Sequence, residues 1–331
     1  MKINYYPPCH DQDLVIGAPD HTDVNGITFL VANEALGLQA FKDNHWIDIK
    51  YTTSGIIVIV GDQFHVVNHG ILPELIRRLK EVGTEFFELP ETEKEAVAKP
   101  EDSMDVEGYR TKYQKDLEGR NAWVDHLFHR IWPPSRVSYR FWPKLPMDYR
   151  EVNEDYAKHL KKLSEKIMEW LSEGLGLRRE ALIEGLGGET VEYLMKINYY
   201  PPCHDQDLVI GAPDHTDVNG ITFLVANEAL GLQAFKDNHW IDIKYTTSGI
   251  IVIVGDQFHR ISNGKYMSAK HRATMDKEKT RISWPIFVES SLDHEFAPLR
   301  ELITGEDNAP KFKPYVYKDF KFRKLKKLPL D

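Results

Sequence analysis

The sequence predicts a mainly β fold with flanking α-helices, its core an antiparallel barrel or double-sheet jelly roll. Two observations carry this. From about residue 192 the chain breaks into eight short apolar or alternating runs, at 193–200, 208–215, 220–226, 231–236, 239–245, 249–255, 271–275 and 281–289, punctuated by Gly, Pro, Asn and Asp. Strands of this length and spacing suit a closed or double-sheet antiparallel arrangement, which leaves few open edges. Ahead of them, between 66 and 190, apolar residues recur at helical spacing and predict helices beside the sheets.

The elements are preceded by a repeat. Residues 1–65 are identical to residues 195–259, Met-Lys-Ile-Asn-Tyr-Tyr through Gly-Asp-Gln-Phe-His, so Cys9 and Cys203 are one cysteine seen twice. Repeat architectures show several drifted copies, whereas this is one long copy without drift. A recent rearrangement with its crossover near the shared Phe-His, or an assembly error in the gene model, accounts for the pattern. The expected organisation is therefore 1–65, the duplicated copy; 66–190, a mainly helical part; 191–290, the β core; and 291–331, a tail whose residues 311–331, rich in Lys, Arg and aromatics, read as a solvated amphipathic end.

In the second part, Leu72, Leu75, Ile76, Leu79, Val82 and Phe86 mark a first helix, with Pro73 at an early position where its missing N–H costs nothing. Thr92 and Glu95 have capping-box spacing for a short second helix. Tyr156, Leu160, Leu163, Ile167 and Leu171 mark a third, ending near Gly174 and Gly176. The Pro- and aromatic-rich stretch from Trp123 to Pro146 reads as irregular structure with short strands.

Composition narrows the function classes. The 331 residues are 42% hydrophobic and 28% charged with a formal net charge of −9, so nothing attracts the chain as a whole to nucleic acid or an anionic membrane. No run approaches the length of a membrane span, no apolar leader opens the chain, and two cysteines do not make a disulfide framework. A cytoplasmic protein with a small-molecule partner is expected.

The chemistry lies in residues that share strand faces, since i and i+2 point the same way. His215 and Asp217 form one such pair, and His271 opens another run. Two imidazoles and one carboxylate on one octahedral face leave three positions open, which suits Fe(II). An isolated His-x-Asp is commonly a surface pair, and the distal His271 is what sets this one apart. Arg281 and Ser283 form a second pair, a guanidinium fork and a hydroxyl suited to a carboxylate. Lys196, Asn198 and Tyr200 share a face of the first core strand, and Phe287 and Glu289 continue the parity of Arg281.

With these motifs stand Val66-Val67-Asn68-His69-Gly70, Trp123-Val124-Asp125-His126-Leu127-Phe128-His129, Asn198-Tyr199-Tyr200-Pro201-Pro202-Cys203, Ser262-Asn263-Gly264-Lys265-Tyr266 and Arg281-Ile282-Ser283-Trp284-Pro285. Over roughly 66–331 the chain resembles the plant 2-oxoglutarate/Fe(II)-dependent dioxygenases, most closely their flavonol synthase branch. The resemblance implies a double-stranded β-helix with iron on His215, Asp217 and His271. Arg281 and Ser283 would hold the distal carboxylate of 2-oxoglutarate, with Tyr200 adding a hydrogen bond and Asn198 beside it. His126, Phe128, Lys196, Phe287 and Glu289 match the positions that contact the flavonoid. The implied reaction couples decarboxylation of 2-oxoglutarate to desaturation of a dihydroflavonol, with molecular oxygen as co-reactant and ascorbate as reductant. A sister activity of the anthocyanidin synthase or flavanone 3-hydroxylase type, or a rearranged non-catalytic product, stands as the alternative. A monomer is expected.

The chain departs from the family at three places. His204 follows the cysteine where a Pro is usual. Asn219 and Ala226 replace the first and last positions of a Ser-x-x-Thr-x-Leu-Val-Pro stretch. The duplicate stands where an N-terminal strand and helix are usual, which predicts an unpaired sheet edge. His21 and Asp23 repeat the metal pair, but without counterparts of His271, Arg281 and Ser283 they are expected to be idle.

Overall fold

The computed structural model describes residues 69–101, 106–116, 119–205, 208–236, 238–245, 249–304 and 309–330, and the backbone of five short strands between 27 and 66. The chain divides into two units, Met1–Gly61 and Asp62–Asp331. In the first unit, β1 (Ile27–Leu30) pairs with β4 (Ile57–Val60), and β2 (Gln39–Lys42) pairs with β3 (His45–Asp48), all antiparallel. His21 and Asp23 lie outside the described residues.

The second unit opens with β5 (Gln63–Val66) and α1 (Pro73–Glu88). Pro73 occupies the first turn, and Ile76, Leu79, Val82, Phe86 and Phe87 form the buried stripe. Leu72 is exposed because it precedes the helix rather than sharing its apolar face. The short α2 (Glu91–Glu95) starts one residue before Thr92, so the capping box does not form; Pro90 precedes the helix and no side chain caps it.

The largest departure from the expected organisation follows. The segment 66–190 is not mainly helical throughout, and the stretch from Trp123 is not irregular at its start. It contains β6 (Gly108–Lys115) and the twelve-residue β7 (Asn121–Trp132), with all of β6 paired to the first eight residues of β7. The physical reason is that the more buried face of β7 switches along its length: Ala122, Val124 and His126 are buried on one face, Leu127, His129 and Ile131 on the other, so no single period of two spans the strand. Irregular 3-10 turns at Pro134–Arg136 and Tyr139–Phe141 then lead into α3 (Tyr149–Gly174) and α4 (Ala181–Gly185). On α3, Tyr156, Leu160, Leu163, Ile167 and Leu171 are buried as the spacing predicts.

The core strands are β8 (Glu192–Tyr200), β9 (Val209–Ile210), β10 (Ala212–His215), β11 (Ile221–Ala226), β12 (Leu232–Lys236), β13 (His239–Asp242), β14 (Ile250–Val254), β15 (His271–Ala273) and β16 (Arg281–Glu289). The helix α5 (Asp256–Ile261) joins β14 to the loop before β15. They form two sheets. One runs β10-β15-β12-β13, and the larger runs β5-β14-β11-β16-β8-β7-β6, with β9 beside β7. The edge of β14 that the sequence left open is filled by β5, with Val66 opposite Ile250. Apolar clusters join the two sheets into a jelly roll: Leu224, Ile251 and Ile253 with Leu232 and Ala269, and Val124 and Tyr200 with Ala273 and Met275.

Parity divides the larger sheet. Tyr109, Tyr193, Tyr199, His129 and Trp284 face α1 and α3. The ring of Tyr199 stacks on Phe87 at 5.1 Å, the Tyr193 hydroxyl bonds Ser164 at 2.6 Å, and His129 bonds Tyr149 at 2.7 Å. The alternate residues face the interior of the roll. The chain ends in β17 (Glu295–Phe296), β18 (Tyr315–Val316) and α6 (Tyr317–Leu325). This tail is not a solvated appendage. Tyr317 and Phe320 are fully buried, and the ring of Phe320 meets Phe296 at 5.2 Å. Among the described residues no helix is long and apolar enough to cross a membrane.

Candidate metal and 2-oxoglutarate site

His215 ends β10 and His271 opens β15, and the two lie directly opposite in the ladder, their ring centroids 4.4 Å apart. Asp217 is placed differently from the strand parity that suggested it. The strand stops at His215, and Asp217 sits in the turn beyond it. Its carboxylate Oδ1 nonetheless lies 3.7 Å from His215 Nε2 and 3.8 Å from His271 Nε2. One ligand atom from each residue falls within 4.8 Å of the others, the only such group among the described residues.

Groups around the triad aim these atoms. The Nδ1 of His215 is 2.8 Å from the Pro213 carbonyl, and that of His271 is 2.9 Å from the Ala269 carbonyl. A carbonyl accepts only, so each Nδ1 carries the proton and each Nε2 keeps its lone pair. The Thr222 hydroxyl donates to Asp217 Oδ2 at 2.7 Å, leaving Oδ1 for a metal, and accepts from the Asn219 amide at 3.0 Å. The N-terminal turn of α5 fixes the loop from behind, where the Asp256 and Gln257 N–H groups donate to the Asp217 and Asn219 carbonyls. Gly255 permits this approach, because a Cβ there would lie 2.1 Å from the Asn219 oxygen. Across the two ligand strands, Lys270 pairs with Asp214 at 2.6 Å and holds the Asp214 carboxyl below its usual range.

The pKa of His215 is pushed down to about 4, first by desolvation among the surrounding protein atoms and next by His271 beside it. The ring still keeps 45% of its side-chain surface accessible, as a group that must meet a ligand requires. His215 is thus a neutral donor near neutral pH. Two imidazole nitrogens and one carboxylate oxygen on one side of a space fit a ferrous ion with open positions.

Register assembles the second cluster. Arg281 lies opposite Tyr200 and Ser283 opposite Asn198 across β16 and β8. The Arg281 guanidinium is 2% exposed, sits 5.2 Å over the Tyr200 ring and donates from Nη2 to the Tyr245 hydroxyl at 2.8 Å. Its Nε and Nη1 have no hydrogen-bond partner. Buried unpaired donors on a cation are costly, and a carboxylate would satisfy both at once. The Asn198 amide reaches Ser283 Oγ at 3.4 Å, and its own oxygen has no partner. Gly231, at φ +141°, keeps the guanidinium stem free, since a Cβ would lie 2.9 Å from Arg281 Cδ.

A third group lines the same interior. His126 is opposite Asn198, Phe128 is opposite Lys196, and Phe287 is opposite Thr222. The rings of Phe128 and Phe287 stack at 6.0 Å with 13° between planes. Burial and the charges of Lys196, Lys112 and Arg110 push the His126 pKa down to about 2, and its buried Nδ1 has no partner. Burial and the neighbouring Lys112 push Lys196 down to about 8, partly offset by Asp217. Glu289 differs from its companions. It lies at the far end of β16, where Tyr317 donates to one oxygen at 2.6 Å and Lys321 to the other at 2.5 Å. Its inward charge is therefore satisfied within the protein.

Sequence reasoning did not single out Thr222 or Tyr245 for these roles. Thr222 lies within five residues of Asp217 and three of Asn219 but its hydroxyl could have faced either way, and Tyr245 meets Arg281 from 36 residues away.

Known proteins agree with this geometry. The model of the 2OG-Fe(II) oxygenase superfamily matches residues 1–85 and 191–290, and that of the non-haem dioxygenase in morphine synthesis N-terminal region matches 62–145. Flavonol synthase 3 of Arabidopsis thaliana is 82% identical over 268 residues, covering 81% of this chain and 87% of that protein. A flavonol synthase/flavanone 3-hydroxylase of the same plant is 65% identical over 268 residues, covering 81% and 80%. The crystal structure of JOX2 in complex with 2OG, Fe and JA superposes with a TM-score of 0.74 at 33% identity, covering 80% of this chain and 77% of that one. A rice dioxygenase for auxin oxidation, at 20% identity and a TM-score of 0.67, shares the fold over 80% of this chain and 86% of its own. With a family model matched over more than half of it and a relative 82% identical over most of its length, the chain belongs to the 2OG-Fe(II) oxygenase superfamily.

Proposed function

We propose that the chain catalyses the 2-oxoglutarate- and Fe(II)-dependent oxidation of a flavonoid, the desaturation of a dihydroflavonol to a flavonol with release of succinate and carbon dioxide. The observation that carries this is the 82% identity to a flavonol synthase over 268 residues, 81% of this chain. Iron, when bound, would supply the redox chemistry by which molecular oxygen and 2-oxoglutarate together remove two hydrogens from the substrate, giving succinate, carbon dioxide and water.

The chain's own residues do the rest. His215, Asp217 and His271 hold the metal, and Thr222 and the two backbone carbonyls keep the ligand atoms turned toward it. Arg281 and Ser283 grip the distal carboxylate of 2-oxoglutarate, while Tyr245 and Tyr200 hold the guanidinium in place. The stacked Phe128 and Phe287 provide an aromatic wall for a flat substrate. Lys196 donates to a substrate oxygen, and the unpaired nitrogen of neutral His126 offers a second polar contact. Glu289, already bonded by Tyr317 and Lys321, closes the end of the pocket.

Several relatives carry the name flavonol synthase/flavanone 3-hydroxylase, which favours hydroxylation of a flavanone as the second reading. The full chain, supplied with Fe(II) and 2-oxoglutarate, is assayed against dihydroflavonols and flavanones for product and succinate. Flavonol formed with matching succinate supports the proposal. Turnover of flavanones alone supports the second reading. A soluble chain that binds metal and turns over neither is the rearranged, non-catalytic product.

A further inference from the structure

We infer that Lys324, on the C-terminal helix α6, is a positioning residue for the metal site. Its ammonium donates to the Thr216 hydroxyl at 2.7 Å, and Thr216 is the residue between His215 and Asp217. The same ammonium lies 2.7 Å from Asp256 Oδ2. Asp256 in turn donates its backbone N–H to the Asp217 carbonyl at 2.8 Å. One side chain thus grips the ligand loop at its middle and also holds the residue that fixes the loop from behind.

The helix that carries Lys324 is firmly seated. Tyr317 and Phe320 are fully buried beneath it, and Tyr317 and Lys321 both bond Glu289. This anchoring lets Lys324 act on the loop as a fixed point rather than a mobile surface charge. The contact matters because Asp217 lies outside any strand, so no ladder sets its position. A ligand on a turn depends on its outer partners for orientation, and loss of one such partner costs about ten- to a hundredfold in metal affinity. The Lys324 side chain keeps 29% of its surface and Asp256 10%, so the pair is less screened than an exposed ion pair.

The inference goes beyond the proposed reaction, because it concerns metal retention and does not depend on the flavonoid. The test uses the full chain and Mn(II), with affinity measured by titration calorimetry in the absence of substrate. Lys324→Met keeps the aliphatic stem and removes both contacts. About a tenfold weaker Mn(II) affinity is expected, with a Tm for the metal-free protein close to wild type and recovery in Lys324→Arg. Thr216→Val removes the other end of the contact from the loop itself, and serves if the helix variant does not fold. The double variant Lys324→Met/Thr216→Val should be no weaker than the worse single, since both delete one interaction. Lys321→Met cuts a different anchor of the same helix and should leave Mn(II) affinity within twofold. Unchanged affinity in Lys324→Met or Thr216→Val overturns the inference. So does an equal loss in Lys321→Met, which would show that seating of the helix alone matters.

Discussion

Replacing Arg281 by lysine tests the carboxylate clamp with the charge retained. The native guanidinium stacks over Tyr200, donates one hydrogen bond, to Tyr245 at 2.8 Å, and keeps two nitrogens without a hydrogen-bond partner in a setting that is 2% exposed. Folding has already stripped water from those donors, so a carboxylate that reaches them regains bonds at close to full worth. Each bond to a charged group contributes about 1.5–3 kcal/mol. Lysine offers a point charge in place of a planar fork and makes one of those bonds, not two. The loss of about 1.5–3 kcal/mol converts to a KM for 2-oxoglutarate roughly ten- to a hundredfold higher, at about 1.4 kcal/mol per decade. The kcat at saturating 2-oxoglutarate should hold within a few-fold, because the metal ligands are untouched. The assay is initial-rate succinate formation against 2-oxoglutarate at saturating flavonoid. A KM within twofold of wild type refutes the reasoning, as does a hundredfold fall in kcat that excess 2-oxoglutarate does not restore.

Thr222→Val keeps the shape of the side chain but strips Asp217 Oδ2 of its donor and Asn219 of its acceptor. Mn(II) affinity should fall about tenfold, read by calorimetry, while 2-oxoglutarate KM at saturating metal stays near wild type. Lys196 is charged below about pH 8 and neutral above it, so the flavonoid KM should rise as pH passes that value in the wild type and stay flat through it in Lys196→Arg. The folded value lies below the ordinary 10.5, so the associated stability is complete above 10.5 and is lost as pH falls through 8. Lys196→Met should therefore raise the Tm at pH 7 by relieving at most ~3 kcal/mol while weakening flavonoid binding; a lower Tm would count against burial as the cause. His21→Ala should leave succinate formation unchanged, and a loss of activity there would mean that the first copy takes part in the site.

The legible part of this protein was what local sequence controls. Eight core runs became strands near their expected places because turn residues bound them tightly, with only the 208–215 run broken at Gly211 into β9 and β10. Parity placed Arg281 beside Ser283 and both opposite Asn198 and Tyr200, as a period of two requires. It misplaced Asp217, which strand alternation put on β10 and tertiary hydrogen bonds hold in a turn. The strand β7 was hidden because its buried face switches at His126–Leu127, which breaks a single alternation along the strand. The tail was misread for a related reason. Its lysines look solvated in sequence, but Lys321 finds Glu289 from 32 residues away and Lys324 finds Thr216 from 108. Long-range pairing of a charged residue leaves no periodic mark.

The duplicated segment separates what a sequence does locally from what a site demands. In the first unit Ile27 lies opposite Val60 and Gln39 opposite Asp48; in the second copy Ile221 lies opposite Val254 and Gln233 opposite Asp242. These registers are identical, yet the shared Gln-Phe-His is strand in β5 and helix in α5, so even identical sequence takes its structure partly from its neighbours. Among the described residues, the site is assembled only in the second copy. In the second copy β11 has β16 on its other edge, bringing Phe287 to Thr222, and β10 has β15, bringing His271 to His215. Both partner strands come from residues after 259, which were not duplicated. A His-x-Asp pair is thus only two-thirds of a metal site, and the strand that delivers the third ligand decides which copy can hold iron.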